Sequence, residues 1–347
     1  MAYHDHGRRG IPVGFCRTQE NAPKASAPLM AFFIIRIKEG FMLYSSRMRA
    51  QALVASLLML FLIALHASAD SGLTKIADNV YAYVDIKKAS PANSFGANAG
   101  IVVGRDGVVV IDTLISVKEA QRFIKDIRKI TDKPIRCVIN THYHLDHVLG
   151  NAAFVRTGAV VISHAEDQKN FRAKGESILK NARKYGLTEA DMEGTVLAYP
   201  QISFTDRMEI DLGDLRVQLI SAKNSHTGGS LFVFVPERNV VFAGDVLFTG
   251  YHPYMAEGDL AGWTVALDAL AQLKAAAIVP GHGPVSSNKD ITDMKEYIVL
   301  FDGEARRLSA LSNDPEFLYA ELKKVLPNRP ESDFLIRANI QRYCKGK

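Results

Sequence analysis

The sequence predicts an α/β protein with helices lying outside packed β-sheets, and three observations lead there. Short β-branched runs recur at Ile101 to Val103, Val108 to Ile111, Ile135 to Ile139, Val160 to Ile162, Leu231 to Val235 and Val240 to Ala243. Segments with apolar residues at helical spacing fall between and after them. The stretch from Asp70 to Lys347 is long enough for one large domain, and no linker, internal repeat or low-complexity run divides it. Alternation of the two kinds of element puts helices on the faces of sheets.

A leader comes first. Arg47 and Arg49 precede Ala52 to Leu65, apolar except for Ser56, and Ala67-Ser68-Ala69 follows before Asp70. The apolar stretch is shorter than the ~20 residues of a comfortable membrane span, and with its basic start and small-x-small end it has the layout of a secretory signal peptide. Cleavage after Ala69 would place the mature chain in the periplasm or outside the cell, without a stable membrane span. Met42 or Met48 is a more natural start than Met1, so residues 1–47 read as an over-extended amino terminus, 48–69 as the signal and 70–347 as the folded domain.

The leader also carries the charge. Its first 69 residues hold eight Lys or Arg against three Asp or Glu, which is the whole of the net +5. The mature chain is neutral by that count and lacks the basic footprint of a nucleic-acid enzyme. Cys16, Cys137 and Cys344 are too few and too scattered for a disulfide framework.

Among the helices, Val117 to Ile130 sets Ala120, Phe123, Ile124, Ile127 and Ile130 on one face, and Ala165 to Tyr185 reads as a longer, highly charged helix. From about residue 288 the chain is helical, with segments Ile291 to Leu311, Pro315 to Leu326 and Ser332 to Tyr343. Ser312-Asn313-Asp314-Pro315 marks a stop and a fresh start. No heptad pattern is sustained, so a coiled coil is not supported.

Chemistry concentrates just past the run Ile135 to Ile139, where Thr141-His142-Tyr143-His144-Leu145-Asp146-His147 packs three imidazoles and a carboxylate together. A chain leaving a sheet there lets loop and helix side chains converge, and such donors suit zinc and its first-row neighbours. Three more candidates follow probable strands: His226 in Ser225-His226-Thr227-Gly228-Gly229, Asp245 in Ala243-Gly244-Asp245, and His282 in Pro280-Gly281-His282-Gly283. Glycines beside them let the backbone turn tightly near an ion. His4, His6 and His66 fall in the leader, and His164 reads as a satisfied strand-end histidine. Tyr251, His252 and Tyr254, a few residues past Asp245, are candidate substrate contacts on a rim loop.

In this order and with these neighbours, the residues resemble the metallo-β-lactamase superfamily of metal-dependent hydrolases, over roughly Val80 to Val285. The resemblance implies a four-layer αββα sandwich with added carboxyl-terminal helices and the metals at one edge between the sheets. It matches Asp112, in Val110-Ile111-Asp112-Thr113, to the carboxylate that buttresses the metal loops. It also implies two zinc ions: His142, His144 and His226 on one, Asp146, His147 and His282 on the other, and Asp245 bridging. Iron or manganese suits the same donors.

Such a site keeps net positive charge after two carboxylates and a bridging hydroxide are counted, and water held there ionises near neutral pH. Asp146, between the His pairs, is the candidate for orienting that nucleophile and handling a proton. The expectation is a hydrolase of a small-molecule ester, thioester, lactone or amide. Its alternatives are a β-lactamase and, from another class, a metal-holding envelope protein that turns nothing over. Asp245 stands where many zinc β-lactamases have Cys or Ser, and no Lys follows to clamp a drug carboxylate. Val246 to Gly250 resembles glyoxalase II thioesterases, but Tyr251-His252-Pro253 replaces their Gly-Cys-Gly. His144, where di-iron flavoprotein reductases have Glu, favours hydrolysis over redox chemistry. The sequence leaves oligomeric state open.

Overall fold

The computed structural model describes residues 72–344, and in it two β-sheets pack face to face with helices on both outer faces. The expectations for the leader lie outside the described residues. The first sheet has seven strands in chain order: β1 (Thr74–Ala77), β2 (Val80–Tyr83), β3 (Ala99–Gly104), β4 (Gly107–Ile111), β5 (Ile135–Ile139), β6 (Val160–His164) and β7 (Ile202–Phe204). It is antiparallel from β1 to β4 and parallel from β4 to β7. The second runs β12 (Ala277–His282), β11 (Val240–Phe248), β10 (Leu231–Val235), β9 (Arg216–Ser221), β8 (Arg207–Asp211). Only its β11–β12 pair is parallel.

Val109, Ile111, Cys137 and Ile139 from one sheet meet Leu219, Leu231, Val233 and Phe242 from the other to form the inter-sheet core. Because helices bury the opposite faces as well, β3, β4 and β11 are buried along their whole length, which is why they read as continuous apolar runs. Helix α1 (Val117–Ile130) starts at Ser116, whose side chain accepts from the Glu119 amide, and buries Ala120, Phe123 and Ile127 on the first sheet. Two short helices, α2 (Leu145–Val148) and α3 (Asn151–Val155), follow β5, and α4 (Ala165–Lys180) follows β6. The second sheet is covered by α5 (Leu260–Gln272), α6 (Asn288–Ser309), α7 (Pro315–Val325) and α8 (Phe334–Ile340), around Trp263, Tyr297 and Phe301. No helix among the described residues is long and apolar enough to cross a membrane.

Two expected boundaries change. The single helix expected over Ala165 to Tyr185 ends at Lys180, and a separate 3-10 turn spans Ala182–Tyr185 and closes on Gly186 in the left-handed region. Strand β11 does not stop at Ala243: Gly244, at φ 50°, shifts the register and the strand resumes to Phe248. Asp245 therefore sits inside a kinked strand rather than beyond its end.

Candidate metal centre

The loop after β5 is fastened by Asp112. That residue follows β4 with φ 58°, and its carboxylate accepts from the Thr141 amide (2.8 Å), the Thr141 hydroxyl (2.7 Å) and His147 Nδ1 (2.9 Å). Having donated to Asp112, the Thr141 hydroxyl accepts from His142 Nδ1 at 3.1 Å. One buried carboxylate thus sets the orientation of two imidazoles, leaving Nε2 of each as the free lone pair. His144 starts α2, whose single turn carries Asp146 and His147.

His226 lies between β9 and β10, where its neighbour Thr227 donates to Asp167 at 2.6 Å. His282 ends β12, and Asn98 holds that loop by donating to the carbonyls of Pro280 (2.8 Å) and Gly283 (2.9 Å). His282 Nδ1 donates to the Phe95 carbonyl at 3.2 Å. A Cβ on Gly281 would stand 1.9 Å from Asp245 Oδ1, so only glycine lets β12 pass this close to that carboxylate.

All seven expected ligand groups come together, in two sets. His142, His144, His226 and Asp245 form one cluster, and Asp146, His147 and His282 form the other. Asp245 faces both. Its Oδ2 is 3.6 Å from His142 Nε2 and 3.4 Å from His226 Nε2, while Oδ1 is 3.1 Å from His147 Nε2 and 3.5 Å from His282 Nε2. His144 Nδ1 and His226 Nε2 lie 2.9 Å apart. Nε2 of His142 and His147 and Oδ1 of Asp245 are buried without a hydrogen-bond partner. Buried orphans of this kind cost stability unless something binds them, and lone pairs converging from two sides fit metal ions.

Charge differs between the sets. Burial holds His142 well below the ordinary imidazole range and His226 down at about 3, so both are neutral donors. Burial also opposes charging at His147 and His282, but Asp245 and Asp146 overcome it, lifting His147 well above its ordinary value and His282 to about 9. Against its burial, the imidazoles of His147, His282 and His142 hold Asp245 well below the carboxylate range. Asp146 is likewise lowered, by His147 and His282.

A cavity of about 670 Å³ opens above the cluster, with His144, Asp146, Asp245 and His282 in its lining. Of the three expected rim contacts, Tyr254 lines it. Tyr251 and His252 do not: both are buried behind the wall, where the Tyr251 hydroxyl donates to the Ile86 carbonyl and His252 Nδ1 pairs with the Tyr297 hydroxyl at 2.7 Å. The loop past β11 packs into the helical layer at Tyr251 and Met255, and of these residues Tyr254 is the half-buried one that reaches the cavity. His164 is satisfied as expected, accepting from the Glu166 amide and facing the Thr205 carbonyl.

The cavity also holds residues that sequence reasoning missed. Lys174 donates to the Tyr143 hydroxyl (2.6 Å) and to Glu257 (2.9 Å), Tyr143 donates to Glu257, and Glu257 lies 3.9 Å from His144 Nε2. The facing His144 imidazole, then Tyr143 and Lys174, keep the Glu257 carboxyl far below its ordinary range. Tyr143 stood inside the His-rich motif and was the one available signal.

Comparison with known proteins agrees with the geometry. Residues 92–282 match the family model of the metallo-beta-lactamase superfamily. The metallo-beta-lactamase type 2 of Bacteroides fragilis is 23% identical over 251 residues, covering 69% of this chain and 92% of that enzyme. A linear primary-alkylsulfatase of a Pseudomonas species is 24% identical over 222 residues, covering 54% of this chain, which spans only 42% of that enzyme's length. The solved metallo-beta-lactamase of Pontibacter korlensis superposes with a TM-score of 0.54 at 20% identity, covering 65% of this chain and 98% of that one.

Proposed function

Because the chain belongs to the metallo-beta-lactamase superfamily, we propose that it is a dinuclear zinc hydrolase of the bacterial cell envelope, acting on a small ester, thioester, lactone or amide. The observation that carries this reading is Asp245, which turns one oxygen toward each histidine set. Seven ligand groups exceed what one tetrahedral zinc uses. His142, His144 and His226 would hold one ion, Asp146, His147 and His282 the other, and Asp245 both. Ions bound there supply an acidified water and a Lewis acid for the oxygen on which charge develops.

The chain's own groups do the rest. Asp146 lines the cavity and turns Oδ2 toward His282 Nε2 at 3.4 Å and His147 Nε2 at 3.7 Å, so Oδ1 is the oxygen it would offer to an attacking water and its proton. Its depressed pKa keeps it ionised for that role. Tyr254 stands on the cavity wall as a donor to a substrate oxygen or leaving group, while the Tyr143 hydroxyl beside it is committed to Glu257.

A panel of thioester, lactone, phosphodiester, alkyl sulfate and cephalosporin substrates, given to the zinc-loaded protein, tests the reading. The alkyl sulfate is included because of the alkylsulfatase relative. Turnover of an acyl substrate supports the proposal. Two bound ions with no turnover anywhere in the panel would favour the metal-holding alternative. Cephalosporin hydrolysis alone would favour the β-lactamase reading, which the Bacteroides fragilis relative supports. The envelope location rests on Ala52 to Leu65 and Ala67-Ser68-Ala69, and amino-terminal sequencing of the native protein should read Asp70 first. Met1 or Met48 intact on a soluble cytoplasmic species would overturn it.

A further inference from the structure

The ligand groups form only the floor of the cavity. Most of its apolar wall comes from three separate segments: the turn Pro91–Gly96, helix α4 and the last helix, α8, which contribute Pro91, Phe95, Ile178, Phe334, Leu335 and Ala338. A volume of about 670 Å³ is that of a site burying a whole small molecule, and a scissile group fills little of it. The cation nearest the floor is already engaged, since Lys174 is closed on Glu257 and Tyr143. Phe334 is 53% exposed and Tyr185, also on the lining, is 46% exposed, so two large aromatics face water at this one place. Packing of the core does not account for them, and exposed apolar surface continuous with a cleft marks a binding surface.

The apolar wall is tied to the reacting end through Phe95. Its backbone is held at φ 53°, its carbonyl accepts from His282 Nδ1, and its ring lies 6.4 Å from that of Phe334 on α8. The same residue that aims a ligand histidine therefore shapes the wall, which fixes the distance between wall and scissile bond.

We infer that this site takes substrates whose scissile group carries a flexible apolar chain of several carbons, seated between the Pro91–Gly96 turn and helix α8. The inference rests on the hydrolytic reading for the chemistry but on the cavity alone for the chain. Lys184 is exposed where it joins the lining, so a charge along the chain would be desolvated against the carbon of Pro91, Phe95, Ile178 and Leu335, whereas an apolar chain gains with each methylene buried.

Two series test it with the intact metal-loaded protein: n-alkanols from butanol to decanol, followed by calorimetry, and p-nitrophenyl esters from acetate to decanoate, followed by turnover. Affinity should rise about two- to fourfold per added methylene and level off once the cavity is full. Ala338→Phe, which intrudes on the chain site and touches no ligand group, should weaken decanol at least tenfold and leave butanol within twofold. Phe334→Ala, at an exposed position of the wall, should flatten the dependence of KM on ester length. A flat alkanol series, or no selective loss in Ala338→Phe, overturns the inference even if esters are hydrolysed. Alkanols that follow the series with no ester and no member of the substrate panel turned over would leave the chain site standing and remove the hydrolytic reading.

Discussion

The two halves of the metal centre are held by different forces. His142, His144 and His226 are three imidazoles whose ring centroids lie 4.7 to 4.8 Å apart, edge to face, with two of the rings kept neutral by burial. Asp146, His147 and His282 include a carboxylate, and both of these histidines are fixed from behind by oxygen acceptors, the Asp112 carboxylate and the Phe95 carbonyl. The first half is packed ring against ring, with His142 also held through the Thr141 hydroxyl, whereas the second is fixed by direct acceptors and by charge. The difference teaches that Asp245 has two tasks: it offers one oxygen to each half as a ligand atom, and without metal it balances the charge that the histidines of the second half take up.

Asp245→Ala should therefore have the largest effect. Bound metal should fall from about two ions per chain to one or fewer, and turnover by about three orders of magnitude, since both nucleophile generation and charge stabilisation depend on the pair. Elemental analysis beside single-turnover kinetics measures both. Retention of two ions would break the comparison at its centre.

Asp146→Asn comes next. It preserves size, removes the charge and touches only the second half. Turnover should drop about a hundredfold, the usual contribution of a positioned acid or base with some metal disturbance, while substrate affinity changes less. If the variant keeps its metal and hydrolyses substrate at the original rate, the role given to Asp146 is wrong.

A weaker pair of changes separates the halves from outside. Asp112→Asn loosens the direct partner of His147 and, through Thr141, that of His142, so it should weaken metal binding ten- to a hundredfold at the second half and less at the first. Glu257→Gln removes the carboxylate facing His144 and should weaken the first half by about tenfold. Chelator competition resolves two dissociation steps, and each variant should move a different one most. The same step moved most by both would mean that the halves are not independent.

What the sequence made legible follows from how local each signal was. The run His142 to His147 lies on one loop and one helical turn, so its chemistry was visible in seven residues, and α1 coincides with its expected range because Ser116 caps a clean apolar face. Strand β8 was invisible since its edge position leaves alternate residues exposed and no apolar run forms. Helix α5, rich in Ala and Leu, lacks a polar stripe to set its period and was also missed. The Tyr143, Lys174 and Glu257 contacts join residues up to 114 positions apart, a distance no spacing rule spans. The kink at Gly244 hid the continuation of β11 because a glycine between apolar runs reads as an end.

The smallest effect asks what separates a site histidine from a merely buried one. His252 resembles the first half in burial and charge: desolvation, with Arg329 next, lowers its pKa to about 4, and its Nε2 has no hydrogen-bond partner. Around it stand the Tyr297 hydroxyl, Asp333 at 3.9 Å and the cations Arg329 and Lys323, and among the described residues it joins no group of potential ligands. A histidine whose folded pKa lies below the unfolded value near 6.5 binds fewer protons folded than unfolded between those values, so its contribution is complete above about pH 6.5 and is lost as pH falls toward 4. In the metal-loaded protein this should add up to one proton to the pH dependence of unfolding in that window. His252→Asn keeps a partner for Tyr297 and should remove that proton, lower stability slightly through the gap left behind, and leave metal content and KM within about twofold. Urea unfolding at pH 4.5, 5.5 and 6.5 reads the first effect. A large rise in KM would instead restore His252 to the substrate surface where the sequence had placed it.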